Sequence, residues 1–81
     1  DYKRIHDEII YRARTRLHCF APIERHHKIP RCLGGSDDYT NIVYVTTQEH
    51  LVLHLCLWRM YRNTHPDLIF ALEGFMIDTD I

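Results

Sequence analysis

"ERHHKIPRCLGGSDDYTNIVYVTTQEHLVLHL", residues 24–55, opens on two adjacent histidines, His26 and His27, and closes on two more, His50 and His54, four residues apart. Asn41 stands between the pairs. "IERHHKIP" reads as a short strand that holds the first pair and ends at Pro30. "RCLGGSDDYT" is dense in turn chemistry, with Gly34-Gly35 followed by Ser36, Asp37 and Asp38, and reads as a loop. "NIVYVT" is β-branched and aromatic, which predicts a second strand from Ile42 to Val45. Thr46 with Glu49 three residues later has the form of a capping box, opening a helix that runs to about Tyr61. Leu51, Leu55 and Trp58 form its apolar stripe, with Val52 and Met60 beside them. Two strands alone are not stable, so the hairpin is expected to pack on this helix.

Outward from this segment, Tyr2, Ile5, Ile9, Ala13 and Leu17 recur at helical spacing and predict an amphipathic helix of about four turns. Its other faces carry Lys3, Arg4, Arg12, Arg14 and Arg16, either a solvated surface or a patch for phosphates. Pro22 ends any continuation. In "NTHPDLIFALEGF", Thr64 and Asp67 suggest another cap, Pro66 sits in the first turn, and Gly74 is a stop. The order helix, strand, loop, strand, helix, helix predicts a small α+β domain over residues 1–81 with its core motif at 24–61. There are no internal repeats, low-complexity segments or linkers. The chain begins with Asp1 rather than methionine, as a fragment or a processed protein would.

At 81 residues the chain holds one domain at most. A domain this size buries only about 60 % of its unfolded surface and commonly adds a metal, disulfides or a partner. Hydrophobic residues make up 46 % and charged residues 26 %, ordinary for a globular protein, whereas seven histidines are an excess. The three cysteines, Cys19, Cys32 and Cys56, are odd in number and form no C-x-x-C. That argues against a disulfide framework or a cysteine-rich zinc knuckle and for a reducing, cytoplasmic setting. No apolar run can span a bilayer and no signal-peptide pattern is present, so no membrane partner is expected. The net charge of −1 is uneven: residues 1–31 carry eight Lys/Arg against four Asp/Glu, and residues 32–81 two against seven. The basic half suits a polyanion, although the whole chain is not basic enough to imply nucleic acid by charge alone.

His50 and His54, at i and i+4 of a helix, share one face, a spacing that suits two imidazoles closing on one metal. A single H-x-x-x-H is commonly no more than an ordinary histidine pair; the second pair, on a strand the helix should cover, changes the reading. Side chains of neighbours on a strand point to opposite sides. One of His26 and His27 can therefore turn to the His50/His54 face and bind metal while the other projects towards substrate. A free imidazole titrates near pH 6.5, which suits a general base. Asn41 could brace the loop backbone through its amide or lend its oxygen to a hard cation. Arg25, Lys28 and Arg31 lie close enough in sequence to hold a nucleic-acid backbone. His6, His18 and His65 are expected at the surface, and Cys56 and Trp58 in the core.

The ordered set His26-His27, Asn41, His50 and His54 resembles the HNH endonuclease family of ββα-metal nucleases. "HHKIP" and "NIVYVTTQEHLVLH" are similar to segments of the colicin DNases, and "ERHHKIPRCLGGSDD" and "TTQEHLVLHL" to phage-encoded HNH enzymes, homing endonucleases among them. The match covers Glu24 to about Tyr61. The resemblance implies a metal-dependent DNA endonuclease that leaves a 3′-hydroxyl and a 5′-phosphate. It assigns His26 and His50 as metal ligands, His54 to metal or the scissile phosphate, and His27 as the base that activates water. Asn41 matches an asparagine that braces the loop in some members and ligates metal in others. Glu24 matches an acidic residue that orients a nearby basic side chain. Arg12, Arg16, Arg25, Lys28 and Arg31 are candidates for DNA contact. One divalent metal is implied. Imidazoles favour zinc or nickel in binding strength, and magnesium or manganese could support turnover. The source would be a phage acting in a bacterial host cell, with a further DNA-binding domain or a dimer partner outside this chain. Two rivals share the same residues: a non-catalytic zinc module for nucleic acid or protein, which lacks a well-placed fourth ligand, and an RNA nuclease.

Overall fold

The computed structural model describes residues 1–19 and 21–72. Helix α1 spans Tyr2–Thr15, strand β1 Ile23–His27, strand β2 Ile42–Thr46 and helix α2 Thr47–Tyr61. A 3-10 turn at Arg31–Leu33 interrupts the loop between the strands, and another at Pro66–Leu68 leads into helical residues 69–72. The fold is α+β: a helix, an antiparallel hairpin packed on a second helix, then a short helical segment. It is the ββα-type domain the sequence predicts.

The strands pair with His26 opposite Val43 and His27 opposite Ile42. Alternation divides them into two faces. Val43, Val45 and His26 are buried, at 3 %, 0 % and 1 % exposure, while Arg25 and Tyr44 point out. Val43 and Val45 join Ile10 of α1 and Leu53 of α2 in the core, with Ile9 and Ala13 packed against it. A two-stranded sheet gains its stability only by such packing.

The capping box forms at the start of α2. The Glu49 amide donates to Thr46 Oγ1 at 3.1 Å, and the Thr46 amide donates to Glu49 Oε1 at 2.8 Å. The helix buries Leu53, Cys56 and Leu57, whereas Leu51 and Leu55 are 38 % and 40 % exposed. The predicted stripe is therefore displaced by one position. The inward face, turned to the hairpin and α1, is the one that carries His50, Leu53, His54 and Leu57, and the polar histidines hide it from an apolar count. Trp58 is half-buried rather than core, with the guanidinium groups of Arg59 and Arg62 over its ring at 5.5 and 5.4 Å.

Helix α1 is displaced only in part, since Ile9 and Ala13 of the expected stripe pack against the core. Its N-cap Asp1 accepts from the Lys3 amide at 3.0 Å, and its buried residues are His6 and Ile10. Tyr2 and Ile5 stay 42 % and 41 % exposed, and Leu17 lies beyond the helix, 91 % exposed. The helix stops at Thr15 because Arg16 turns to an extended conformation. From there its guanidinium reaches the Glu49 carboxylate in two bonds of 2.8 and 2.9 Å. His6, read as a surface residue, is 3 % exposed. The cap expected from Thr64 and Asp67 does not form: His65 is the N-cap of the final turn, and Thr64 Oγ1 donates to the Tyr61 carbonyl instead. Gly74 lies outside the described residues.

Candidate functional site

Strand β1 and helix α2 build the site between them. Glu24 and His26, two residues apart, share the face of β1 that α2 covers, and His50 and His54 share one face of α2. Three imidazoles meet there. The His26 ring centroid lies 5.2 Å from that of His50 and 5.1 Å from that of His54, and the latter two are 4.7 Å apart. One nitrogen from each of the three falls within 4.8 Å of the others. His50 Nε2 and His54 Nε2 are 3.0 Å apart.

The surroundings favour neutral, lone-pair-bearing rings. Burial, then the neighbouring His54 and His50, push the His26 pKa down to about 2. Burial first, and then His50, push that of His54 down to about 4. Neither ring nitrogen of His26 has a hydrogen-bond partner among the described residues. A buried polar atom left unpaired costs about 1–3 kcal/mol and calls for an explanation. A divalent cation supplies one, since a neutral imidazole is its commonest protein ligand and three such rings suit zinc or nickel. The donor set therefore fits a single metal ion.

Glu24 sets the tautomer of His50. Its Oε1 lies 2.8 Å from His50 Nδ1, and Oε2 accepts from Thr47 Oγ1 at 2.9 Å. An ionised carboxylate only accepts, so Nδ1 must carry the proton, leaving Nε2 with a lone pair towards His54. The bonds from His50 and Thr47 hold the Glu24 carboxyl below its ordinary range. This is the carboxylate–histidine arrangement that orients metal-binding imidazoles.

His27 turns the other way, as strand alternation requires, and stands apart from the three-histidine group. Its Nε2 is 2.7 Å from Asp37 Oδ1, and Arg31 donates to the same oxygen at 2.9 Å. The His27 bond, then Arg31, depress the Asp37 pKa. Arg31 Nε lies 3.3 Å from the same Nε2 and equally far from Asp37 Oδ1; the shorter contact to the carboxylate places the proton on Nε2 and leaves the lone pair on Nδ1.

Asn41 is buried at 6 % exposure and braces the loop. Its Oδ1 accepts from the Ile29 amide at 2.8 Å, and its Nδ2 donates to the carbonyls of Ile29 and Ser36 at 3.0 and 2.8 Å. These bonds are those of a loop brace, one of the two roles open to it in sequence. Gly35 lets the loop close: a Cβ there would sit 1.7 Å from the Ile29 oxygen and 2.9 Å from Asn41 Nδ2. Gly34 has φ +89°, a left-handed conformation open to glycine at little cost.

The basic candidates divide. Arg25 and Arg12 are exposed and Lys28 is half-buried. Arg31 is paired with Asp37, and Arg16 is held in its bidentate pair with Glu49. Three further residues take part. Asp37, turn chemistry in the sequence, holds the His27 ring. Arg14 bonds the Thr40 carbonyl at 2.8 Å and ties α1 to the loop. His6 is the third, its ring centroid 5.7 Å from that of His26. Its signal was available, since His6, Ile10 and Ala13 fall at i, i+4 and i+7 on one face.

No family model matches the chain, and no solved structure matches it. Among curated proteins it is 43 % identical over 61 residues to the probable mobile endonuclease E of Enterobacteria phage T4, covering 75 % of this chain and 43 % of that protein. It is 46 % identical over 57 residues to probable mobile endonuclease B of the same phage, covering 70 % of this chain and 21 % of the relative. It is 33 % identical over 81 residues to probable mobile endonuclease D, covering 93 % and 30 %. The chain thus resembles a set of proteins named as probable phage mobile endonucleases, and it spans less than half the length of each of these three.

Proposed function

We propose that this domain is a metal-dependent DNA endonuclease of the HNH type, with His26, His50 and His54 binding one divalent cation and His27 acting as general base. The observation that carries the reading is the division of the histidine pair. His26 is buried against two other imidazoles with both nitrogens unpartnered among the described residues, while His27, the next residue, faces away and is fixed by a carboxylate. The similarity to probable mobile endonucleases supports phosphodiester cleavage as the reaction.

When bound, the cation supplies charge stabilisation to the scissile phosphate and the leaving oxygen. The remaining work falls to the chain. His27 takes the proton of the attacking water at Nδ1, while Asp37 holds the Nε2 proton and steadies the imidazolium that results. Glu24 keeps His50 in its ligating tautomer. Asn41 fixes the turn between His27 and Asp37 by bonding Ile29 and Ser36. Arg25, Lys28 and Arg12 contact the phosphate backbone, with Arg31 at the edge of the site. DNA is the substrate, and base recognition belongs to sequence outside this chain, as the greater length of the relatives suggests. The setting is the interior of a phage-infected bacterium. Among the described residues no helix is long and apolar enough to cross a membrane.

The test is nicking of supercoiled plasmid by the purified domain, with and without chelator, and after re-addition of zinc, nickel, magnesium or manganese. Chelator-sensitive nicking restored by a divalent ion supports the reading. Tight zinc binding without cleavage of DNA or RNA would turn the domain into a structural zinc module.

A further inference from the structure

His6 lies on α1, outside the hairpin and helix that make the histidine cluster, yet it is among the most buried polar residues described, at 3 % exposure. Its Nδ1 is 3.3 Å from Asp7 Oδ1. Its Nε2 is buried and has no partner among the described residues. The ring beside it is His26, whose two buried nitrogens also lack a partner among the described residues, 5.7 Å away between centroids and tilted by 58°.

If one nitrogen of His26 binds the metal, the other carries a proton and needs an acceptor. Metal-ligating histidines almost always donate that second N–H to a carboxylate, a carbonyl or water, and the bond fixes the ring. Glu24 performs this service for His50. For His26 the described residues offer no carboxylate or carbonyl in that role. They do offer His6 Nε2, an acceptor that is itself without a donor.

We propose that His6 holds His26 in its metal-binding orientation, with His6 Nε2 accepting the N–H of the His26 nitrogen that faces away from the metal. The inference rests on the metal reading above. Asp7 completes the chain of bonds: its carboxylate accepts from His6 Nδ1–H, which leaves the lone pair on Nε2 where His26 needs it. The distance is compatible. Two imidazoles joined head-on have centroids about 5.2 Å apart, from about 2.9 Å between nitrogens plus the ring radii. The rings need close by only about half an ångström from that seen here. Helix α1 thereby becomes part of the metal site and more than a flanking support.

The test compares wild type, His6→Met, His6→Gln and Asp7→Ala in zinc affinity, by chelator competition, and in the visible spectrum of the cobalt(II)-loaded protein. Methionine fills the space without a strong acceptor, whereas the glutamine oxygen can accept the same N–H. We expect His6→Met to weaken zinc binding roughly 10- to 100-fold and to shift the cobalt bands. His6→Gln should recover most of the affinity, and Asp7→Ala should change both readouts in the same direction as His6→Met by a smaller amount. Wild-type affinity and spectrum in His6→Met overturn the proposal and leave the metal reading standing. A wild-type protein that takes up no metal overturns both. Should His6→Met fail to fold, Asp7→Ala decides: Asp7 is half-exposed, its removal spares the core, and an unchanged cobalt spectrum overturns the proposal.

Discussion

Glu24 Oε1 lies 2.8 Å from Nδ1 of His50, while Nε2 of the same ring lies 3.0 Å from Nε2 of His54. One carboxylate on β1 therefore decides which nitrogen of a helix residue faces His54. Glu24→Ala should lower zinc affinity roughly 10- to 100-fold, as loss of such a partner does. The fold should persist, because Glu24 is only half-buried. Competition titration with a chromophoric chelator reads the change, and equal affinity in the two proteins would remove Glu24 from the site.

Asn41 gives a prediction about stability alone. Its amide satisfies the Ile29 amide and the carbonyls of Ile29 and Ser36 from a buried position. Asn41→Ala abandons all three groups at once, at about 1–3 kcal/mol for each that water cannot reach. A loss of about 2–5 kcal/mol is expected in chemical denaturation, a large share of what a small domain possesses. Asn41→Asp should do no better, since a carboxylate would face two carbonyls where Nδ2 now donates.

The same residues show what the sequence made legible. The capping box of Thr46 and Glu49 announces its helix because the interaction is local and its chemistry specific. The strands are marked by β-branched runs, and the opposite directions of His26 and His27 follow from alternation alone. The buried face lies one position from the apolar stripe in α2 and partly so in α1, where Ile9 and Ala13 still pack on the core, and for one reason. His6, His50 and His54 are the polar members of the inward stripes, and an apolar count assigns the interior to Ile5, Leu51 and Leu55 instead. Nor is the ion pair of Arg16 with Glu49 legible, since it joins residues 33 apart in the chain.

Buried neutral imidazoles make the metal-free domain sensitive to acid. Burial holds His54 at about 4 and His26 at about 2 in the folded state, and it lowers His6 as well. The unfolded chain protonates near 6.5 and so binds more protons than the folded one below that pH. Stability is therefore fully present above pH 6.5 and is lost as pH falls, from about 6.5 to 4 through His54 and further through His26. Each group contributes up to about 1.4 kcal/mol per pH unit within its window. Thermal melts of chelator-treated protein at pH 7.5, 6 and 5 should show a steep fall in Tm. A Tm independent of pH over that range would contradict neutral burial.

DNA affinity should be weak and depend little on sequence. The net charge is −1, and Arg16 and Arg31 are already paired with carboxylates. With Arg12, Arg25 and Lys28 as the main phosphate contacts, log K against log salt should have a slope of roughly −3, at about −0.9 per contact. Arg25→Gln with Lys28→Gln should bring it near −1. Fluorescence anisotropy on duplexes of unrelated sequence reads both quantities, and tight selection of one duplex at physiological salt would show that this domain reads bases unaided.

His27 separates a nuclease from a structural metal module. A structural module has no use for an unliganded imidazole fixed by Asp37 beside its metal ligand His26. A nuclease requires one, with its lone pair towards the attacking water. His27 contributes no ligand to the three-histidine group, so His27→Ala should keep the fold, the metal and most DNA affinity. Its cleavage rate should drop roughly 10²-fold or more, the usual worth of a positioned base. Asp37→Asn should fall between wild type and His27→Ala. The side-chain oxygen can still accept the Nε2 proton, but the negative charge that steadies the imidazolium is gone. His26→Ala should behave differently, losing metal binding and activity together. Single-turnover plasmid nicking alongside zinc titration distinguishes these patterns. If His27→Ala nicks at the wild-type rate with its metal in place, the base lies elsewhere, and Asp37 has no catalytic partner.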